Sequence, residues 1–374
     1  MKVHYFYPQN DLALADGGPR YVAPAGARAI AEAGEALPLW YGRPGDVALC
    51  YGVNAAWFDK IMETFHLGTD LCPLEYEPGM QAAPWGWSAA SRQKFADMGF
   101  PADALPCNDR LAQLRGLSHR RASVMLATAL GRMLPSLQIV PAEEYTDASA
   151  LCKRLRADGG VIKTPWSTSG RGVAFAGPGF DTDKACRLAE ASIAKQGSAL
   201  YEPAYNRACD FAMLYRCEDG KCRFCGTSVF TADAHGHYTG NLMAEEGERF
   251  SRIAALTPAE DLARVRDALQ KIIEEEIATV YSGPLGIDML VTGTGRLVPV
   301  VELNLRMTMG HVANILAARL LPEGAVGAYR VMPIRKREAY PLSDFTSADG
   351  KVTGGTLQLV PPNPNFRFEV AVGV

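Results

Sequence analysis

The sequence predicts an α/β fold with α+β lobes, preceded by an N-terminal α/β domain. Three observations predict it. Short apolar runs alternate with Gly and Pro punctuation from Val3 to Tyr51, helix-like and strand-like segments alternate again after Tyr145, and a long amphipathic stretch after Thr257 runs into two strands of period two. The chain of 374 residues has the length of two or three domains, and its 48% hydrophobic and 21% charged residues are ordinary for a globular protein. A net charge of −3, from 38 basic and 41 acidic residues, leaves no basic excess for a nucleic-acid backbone or an anionic membrane surface. No apolar stretch reaches the roughly 20 residues of a membrane-spanning helix, and the opening Met1–Asp11 reads as a first strand and not as a leader.

The segments Val3–Tyr7, Ala25–Ala33, Leu37–Tyr41 and Val47–Tyr51 read as βα units around a parallel sheet. No G-x-G-x-x-G follows the first strand, so no dinucleotide site is expected there. Pro84-Trp85-Gly86-Trp87-Ser88 is an aromatic loop, for which wall or core residues are a plainer reading than a stacking platform. Asn10, Asp11, Arg20, Tyr21 and Trp85 are the candidate substrate contacts of this region, with ordinary solvated loop residues as the alternative. After Ser118-His119-Arg120-Arg121, the apolar Ala122–Leu134 reads as a helix and Leu137–Val140 as a short strand stopped by Pro141. A helix near 147–157, a strand at 161–164, a glycine and hydroxyl loop, a strand at 173–176 and a helix near 181–195 complete the second alternation.

Nine cysteines, odd in number and scattered from Cys50 to Cys225, do not resemble a disulfide framework and point to a reducing cytoplasm. Cys217, Cys222 and Cys225, with His235 and His237, offer zinc-type ligands, but the Asp219-Gly220 turn signal makes a hairpin flanked by Cys217 and Cys222 the plainer reading.

The clearest helix runs from Thr257 to about Tyr281, with Thr257-Pro258-Ala259-Glu260 as N-cap, first-turn proline and capping box. Ser282-Gly283-Pro284 ends it. Leu285, Ile287, Met289 and Val291 then share one face of a strand, with Asp288 on the other. After the Gly293-Thr294-Gly295 turn, Glu302, Asn304 and Arg306 share one face of the strand from Leu297 to Leu305. As an antiparallel hairpin, these strands bring Asp288 opposite the neighbourhood of Val300 to Glu302, where two carboxylates can hold one hard cation of the Mg²⁺ type. A solvated face with an internal Glu–Arg pair is the bland alternative. Lys163 ends a strand before the loop Thr164 to Gly172, whose Ser167, Thr168, Ser169 and Gly170 supply hydroxyls and backbone N–H groups suited to phosphate, although no Walker A loop is present. A third element, Leu200 to Tyr205, runs a strand into Glu202-Pro203-Ala204, with Asp210 and an apolar run following.

In this order the three elements resemble the ATP-grasp superfamily, over roughly Ser118 to Leu321. The resemblance implies ATP as co-substrate with Mg²⁺, or Mn²⁺, held by Asp288, Glu302 and Asn304. It also implies Lys163 and the loop Ser167, Thr168, Ser169, Gly170 and Gly172 on the phosphates, and the Glu202, Pro203 and Ala204 backbone near adenine, with Asp210 close by. Arg306, closing E-x-N-x-R, and Lys163 are implied as catalytic residues. Residues 1–117 are then a leading α/β domain, 118–200 a linker helix and lid lobe, 201–321 the catalytic lobe, and 322–374 an extension without a match. Where many members carry a phosphate-binding lysine this chain has Arg120, with Arg121 as the other choice; arginine keeps the charge but forks it. Met307-Thr308-Met309-Gly310-His311 lacks the acidic residue of biotin-carboxylase-like members, and His311 is a helix-start residue with a base as its sharper alternative.

The implied reaction is ATP-dependent ligation of a small-molecule or peptide carboxylate to an amine or thiol through an acylphosphate, releasing ADP and phosphate. A small-molecule kinase and a non-catalytic nucleotide-binding regulator are the competing readings. A homodimer is compatible with all three.

Overall fold

In the computed structural model, described for residues 1–72, 75–167, 172–232, 238–334 and 344–373, the strands among the described residues form three sheets. Asp70–Leu71, Val47–Ala48, Lys2–Tyr5 and Gln81–Pro84 lie in that order as a parallel sheet, as the punctuated N-terminal pattern predicts. Helices Asn10–Asp16, Ala25–Ala33, Ala55–Phe65 and Ala89–Asp97 accompany it; the last opens with a Ser88/Ser91 capping box.

A smaller antiparallel sheet, Glu143–Tyr145, Ala199–Glu202, Gly160–Lys163 and Val173–Ala176, carries helices Ala148–Asp158 and Thr182–Gln196 on one face. Asp147 and Asp181 cap these helices, each accepting backbone N–H bonds in the first turn. The predicted strand Leu137–Val140 is not formed: Pro135–Leu137 is a 3₁₀ turn, and the strand is the Glu-Glu-Tyr segment that follows. That strand sits at a sheet edge, where apolar residues are not required and hydropathy gives no signal.

The third sheet has nine strands. Its order is Leu297–Asn304, Gly283–Thr292, Arg207–Glu218, Lys221–Ala232, Tyr238–Met243, Gly327–Pro333, Phe366–Val372, Lys351–Gln358 and Phe345–Ala348. Phe211, Met213, Tyr215, Leu285, Ile287, Met289 and Val291 bury one face against helices Ala259–Glu276 and Arg121–Met133. The first of these helices starts at Ala259 with Pro258 as N-cap and no side-chain capping bond, so the capping box read at Thr257 is not made. It also ends a turn early, at Glu276, and the carbonyls of Thr279 and Val280 beyond it accept Arg110.

Residues 322–374, unexplained from sequence, supply four of the nine strands. Their apolar side chains share one core with the N-terminal unit: Phe6 meets Phe368 edge to face, and the Trp40 indole donates to the Leu359 carbonyl at 2.5 Å. Helix Met309–Leu320 packs in the same core, so the central sheet and the N-terminal unit flank a shared cleft.

Candidate active site

Two glycines and an alternating strand are enough to make the carboxylate hairpin. Leu285, Ile287 and Met289 point into the core, so Gly286, Asp288 and Leu290 face the other way. In the observed register Asp288 is directly opposite Glu302 and Gly286 opposite Asn304. Like charges facing each other across a ladder are destabilising. Burial first, then Glu302, pushes the Asp288 carboxyl up to about 7, with Asn304, which hydrogen-bonds it, and two arginines working against the rise. Two carboxylates and an amide oxygen at one spot are a hard-cation donor set, and the raised Asp288 marks charge that such a cation would relieve. The residues present therefore fit Mg²⁺.

Arg120 begins helix Arg121–Met133 and is buried. Its fork does three things: Nε donates to the Thr164 carbonyl and Nη2 to Ser167 Oγ, each at 2.8 Å, while Nη1 lies 2.8 Å from the Glu302 carboxylate. It thus ties Thr164 and Ser167, at the base of the loop after Lys163, to the carboxylate hairpin. Arg121 instead pairs with Glu144 at 2.8 Å and is largely exposed, so of the two arginines only Arg120 reaches the hairpin.

Lys163 ends its strand buried beside both lobes. Its Nζ lies 2.6 Å from the Glu202 carboxylate and 3.5 Å from the Val301 carbonyl. The side chain of Glu202 is thus the partner of Lys163, a role that sequence reading missed because the two are 39 residues apart. Pro203 and Ala204 form the connection from the small sheet to the central one. Asp210 sits on the central strand opposite Leu290, 3.3 Å from Arg207, and its carboxyl is raised by burial.

The phosphate-type loop is closed at its base by a bond from Thr164 N to the Gly172 carbonyl at 2.8 Å. Gly172 has φ +73°, and a Cβ there would meet Thr164 Oγ at 2.3 Å, so both backbone and space require glycine. Ser167 faces Arg120, whereas Thr168, Ser169 and Gly170 lie outside the described residues.

Arg306 leaves the hairpin face and donates from Nε to Asp11 Oδ2 at 2.8 Å, across 295 residues. Burial opposes its charge, but Asp11, Glu302 and Asp288 outweigh that and hold the guanidinium pKa up. Asp11, read from sequence only as a substrate contact, is thus the residue that holds Arg306. Next to it Asn10 is 1% exposed and pressed on Gly86, where a Cβ would come within 2.6 Å of its amide nitrogen. Trp85 is a wall residue: its backbone bonds Tyr5 and Met307, and its ring packs on Phe6. Arg20 is exposed after the first helix, and Tyr21 packs on the N-terminal core.

His311 lies in the first turn of its helix, its Nδ1 2.9 Å from Thr308 Oγ and its Nε2 facing the Tyr215 carbonyl. Burial pushes its pKa down to about 3, so it is neutral near pH 7 but a poor proton acceptor there. Cys217 and Cys222 face each other beside the Asp219-Gly220 turn, as the hairpin reading expects; His235 and His237 lie outside the described residues.

No family model matches the sequence, and no curated protein matches it. Solved structures do match the fold. A biotin carboxylase from Campylobacter jejuni, solved as a β,γ-ATP complex, aligns with TM-score 0.53 and 10% identity over 99% of this chain and 86% of that one. A phosphoribosylamine–glycine ligase from Thermotoga maritima gives TM-score 0.51 and 12% identity over 100% and 92%. A Rhizobium etli pyruvate carboxylase gives 0.52 and 14% over 100% of this chain and 36% of that one. The chain has the fold of these structures, the ATP-grasp fold.

Proposed function

We propose that the chain is an ATP-dependent ligase that activates a substrate carboxylate as an acylphosphate and joins it to an amine or thiol. The observation that carries this reading is the directly opposed Asp288–Glu302 pair, with Asn304 beside it, Arg120 reaching Glu302 from helix Arg121–Met133, and Arg306 adding positive charge two residues after the strand. Asp288, Glu302 and Asn304 would hold Mg²⁺, which when bound neutralises charge on the phosphate oxygens.

Phosphoryl transfer asks the protein chiefly for position and for stabilisation of developing charge. A substrate carboxylate oxygen bonds to the γ-phosphorus as the bond to the β-bridging oxygen breaks, and ADP leaves. An amine then bonds to the acyl carbon and loses its proton, while the C–O bond to phosphate breaks and phosphate leaves. Arg306, held by Asp11, presents a fixed positive charge to the acylphosphate oxygens. Arg120 keeps Glu302 oriented and carries the lid loop at Ser167 with it. Lys163, locked between Glu202 and Val301, sets the charge at the base of that loop. The location in a reducing cytoplasm belongs to the same proposal and rests on the cysteine pattern.

The test is incubation with ATP, Mg²⁺, carboxylate pools and hydroxylamine as nucleophile, following adenine nucleotides and hydroxamates. ADP with a hydroxamate is the expected result. A phosphorylated product that persists would make the protein a kinase, and AMP with pyrophosphate would overturn the acylphosphate route.

A further inference from the structure

The face of the central sheet that carries Asp288 continues past it into a cleft of about 810 Å³, between the N-terminal sheet and the end of the Arg207–Glu218/Lys221–Ala232 hairpin. Register fixes the geometry. Asp288 pairs with Ala212, Gly286 with Leu214 and Pro284 with Arg216, so Arg216 stands on the same face four residues further along. At about 3.3 Å of rise per residue that is roughly 13 Å from the carboxylate pair.

Directly opposite Arg216 on the neighbouring strand is Arg223. A hairpin built only for stability places an acid opposite an arginine, as the next pair on the same face does with Glu218 opposite Lys221. Among the described residues Arg216 pairs at 3.4 Å with Glu218 on its own strand, and Arg223 donates to Cys225 Sγ at 3.4 Å. Arg319, also lining the cleft, spends its donors on the neutral carbonyls of Trp40 and Gly42, which leaves its charge uncompensated by them. The cleft is also lined by Leu214, Met307, Ile315 and the half-buried Trp87, by the acidic Asp46, Glu218 and Asp219, and by Gly86, which packs against Arg306.

We propose that the cleft binds the carboxylate substrate, and that this substrate is an extended dianion whose second negative group, a carboxylate or a phosphate ester, is held by the Arg216–Arg223 pair while an apolar middle lies along Leu214 and Trp87. The proposal rests on the ligase reading for the position of the reacting carboxylate, but the recognition itself rests on the arginine pair and the cleft. A long dianion explains why two arginines oppose each other at a distance from the chemistry: the ligand supplies the missing counter-charge.

The experiment is calorimetric binding to the full chain without nucleotide. Probes are the linear dicarboxylates from succinate to sebacate, the matching monocarboxylates, and ω-phosphonocarboxylates of the same lengths. Affinity should peak at one chain length, with the monocarboxylate of that length at least tenfold weaker. Arg216→Gln and Arg223→Gln, each checked to melt like the parent protein, should each erase most of that margin. A stronger ω-phosphonate would identify a phosphate ester as the distal group, and a stronger dicarboxylate a second carboxylate. No length optimum, equal binding of mono- and dianions, or an undiminished margin in both variants would overturn the proposal. Dianion binding without ATP turnover would leave it standing and overturn the ligase reading alone.

Discussion

Two like-charged pairs face each other across the same sheet surface, and they differ in sign, environment and distance from the nucleotide side. Asp288 with Glu302 is acidic and ringed by Arg120, Arg306 and Asn304. Arg216 with Arg223 is basic, lies at the solvent end of the cleft, and has weaker protein partners. A direct cross-strand pair of equal charge costs stability wherever it stands. The acidic pair is compensated by a network built into the protein and is the proposed seat of chemistry, whereas the more weakly partnered basic pair is the proposed seat of selection.

The largest effect is expected at the acidic pair. Glu302→Ala removes a proposed cation ligand and the partner of Arg120 together, and Mg²⁺-dependent ADP formation should fall by a hundredfold to a thousandfold, roughly the scale for losing one charge-stabilising group. Full activity with an unchanged fold by circular dichroism would mean that the hairpin is not the metal site. Next in size, Asp11→Asn leaves Arg306 in place but without its ionic partner; turnover should drop by about tenfold to a hundredfold, while ATP affinity measured by fluorescence titration stays near the parent value.

Two smaller effects are stabilising. In metal-free buffer, Asp288→Asn removes one of two facing carboxylates. The Asp288 pKa is raised from 3.8 to about 7, so the folded state holds its proton longer than the unfolded chain and loses stability as pH rises through that window. The melting temperature gained by Asp288→Asn should therefore be larger at pH 8 than at pH 5; a gain independent of pH would place the repulsion elsewhere. Arg216→Glu converts the basic pair to an opposite-charge pair, and should raise stability in urea unfolding by about 0.2–1 kcal/mol, the usual worth of such a pair, while dianion binding is lost. Destabilisation by that variant would show that Arg216 is already satisfied by the protein.

Much of the acidic site was legible in the sequence because it is local. A glycine turn and a period of two fix which residues of 283–304 share a face, and only the one-to-one pairing of Asp288 with Glu302 awaited the register. The Asp219-Gly220 turn was equally legible, and with Cys217 facing Cys222 it already implies Arg216 against Arg223. What that pair faces was not legible, since the cleft wall opposite comes from the N-terminal sheet. The strand 143–145 was missed because an edge strand needs no apolar pattern, and the capping box at Thr257 was overread because the proline took the cap position itself.

Backbone periodicity and turn chemistry over a few residues were enough to read the two hairpin turns and the face that Asp288, Glu302 and Asn304 share. The long-range fold alone makes the pairings that turn these elements into a site: Arg306 with Asp11, Arg120 with Glu302, Lys163 with Glu202, and the C-terminal strands with the N-terminal core. Those contacts join segments tens to hundreds of residues apart. Their free energy comes from pairing complementary charge and burying apolar surface, against the entropic cost of closing long loops, and no local pattern encodes that balance.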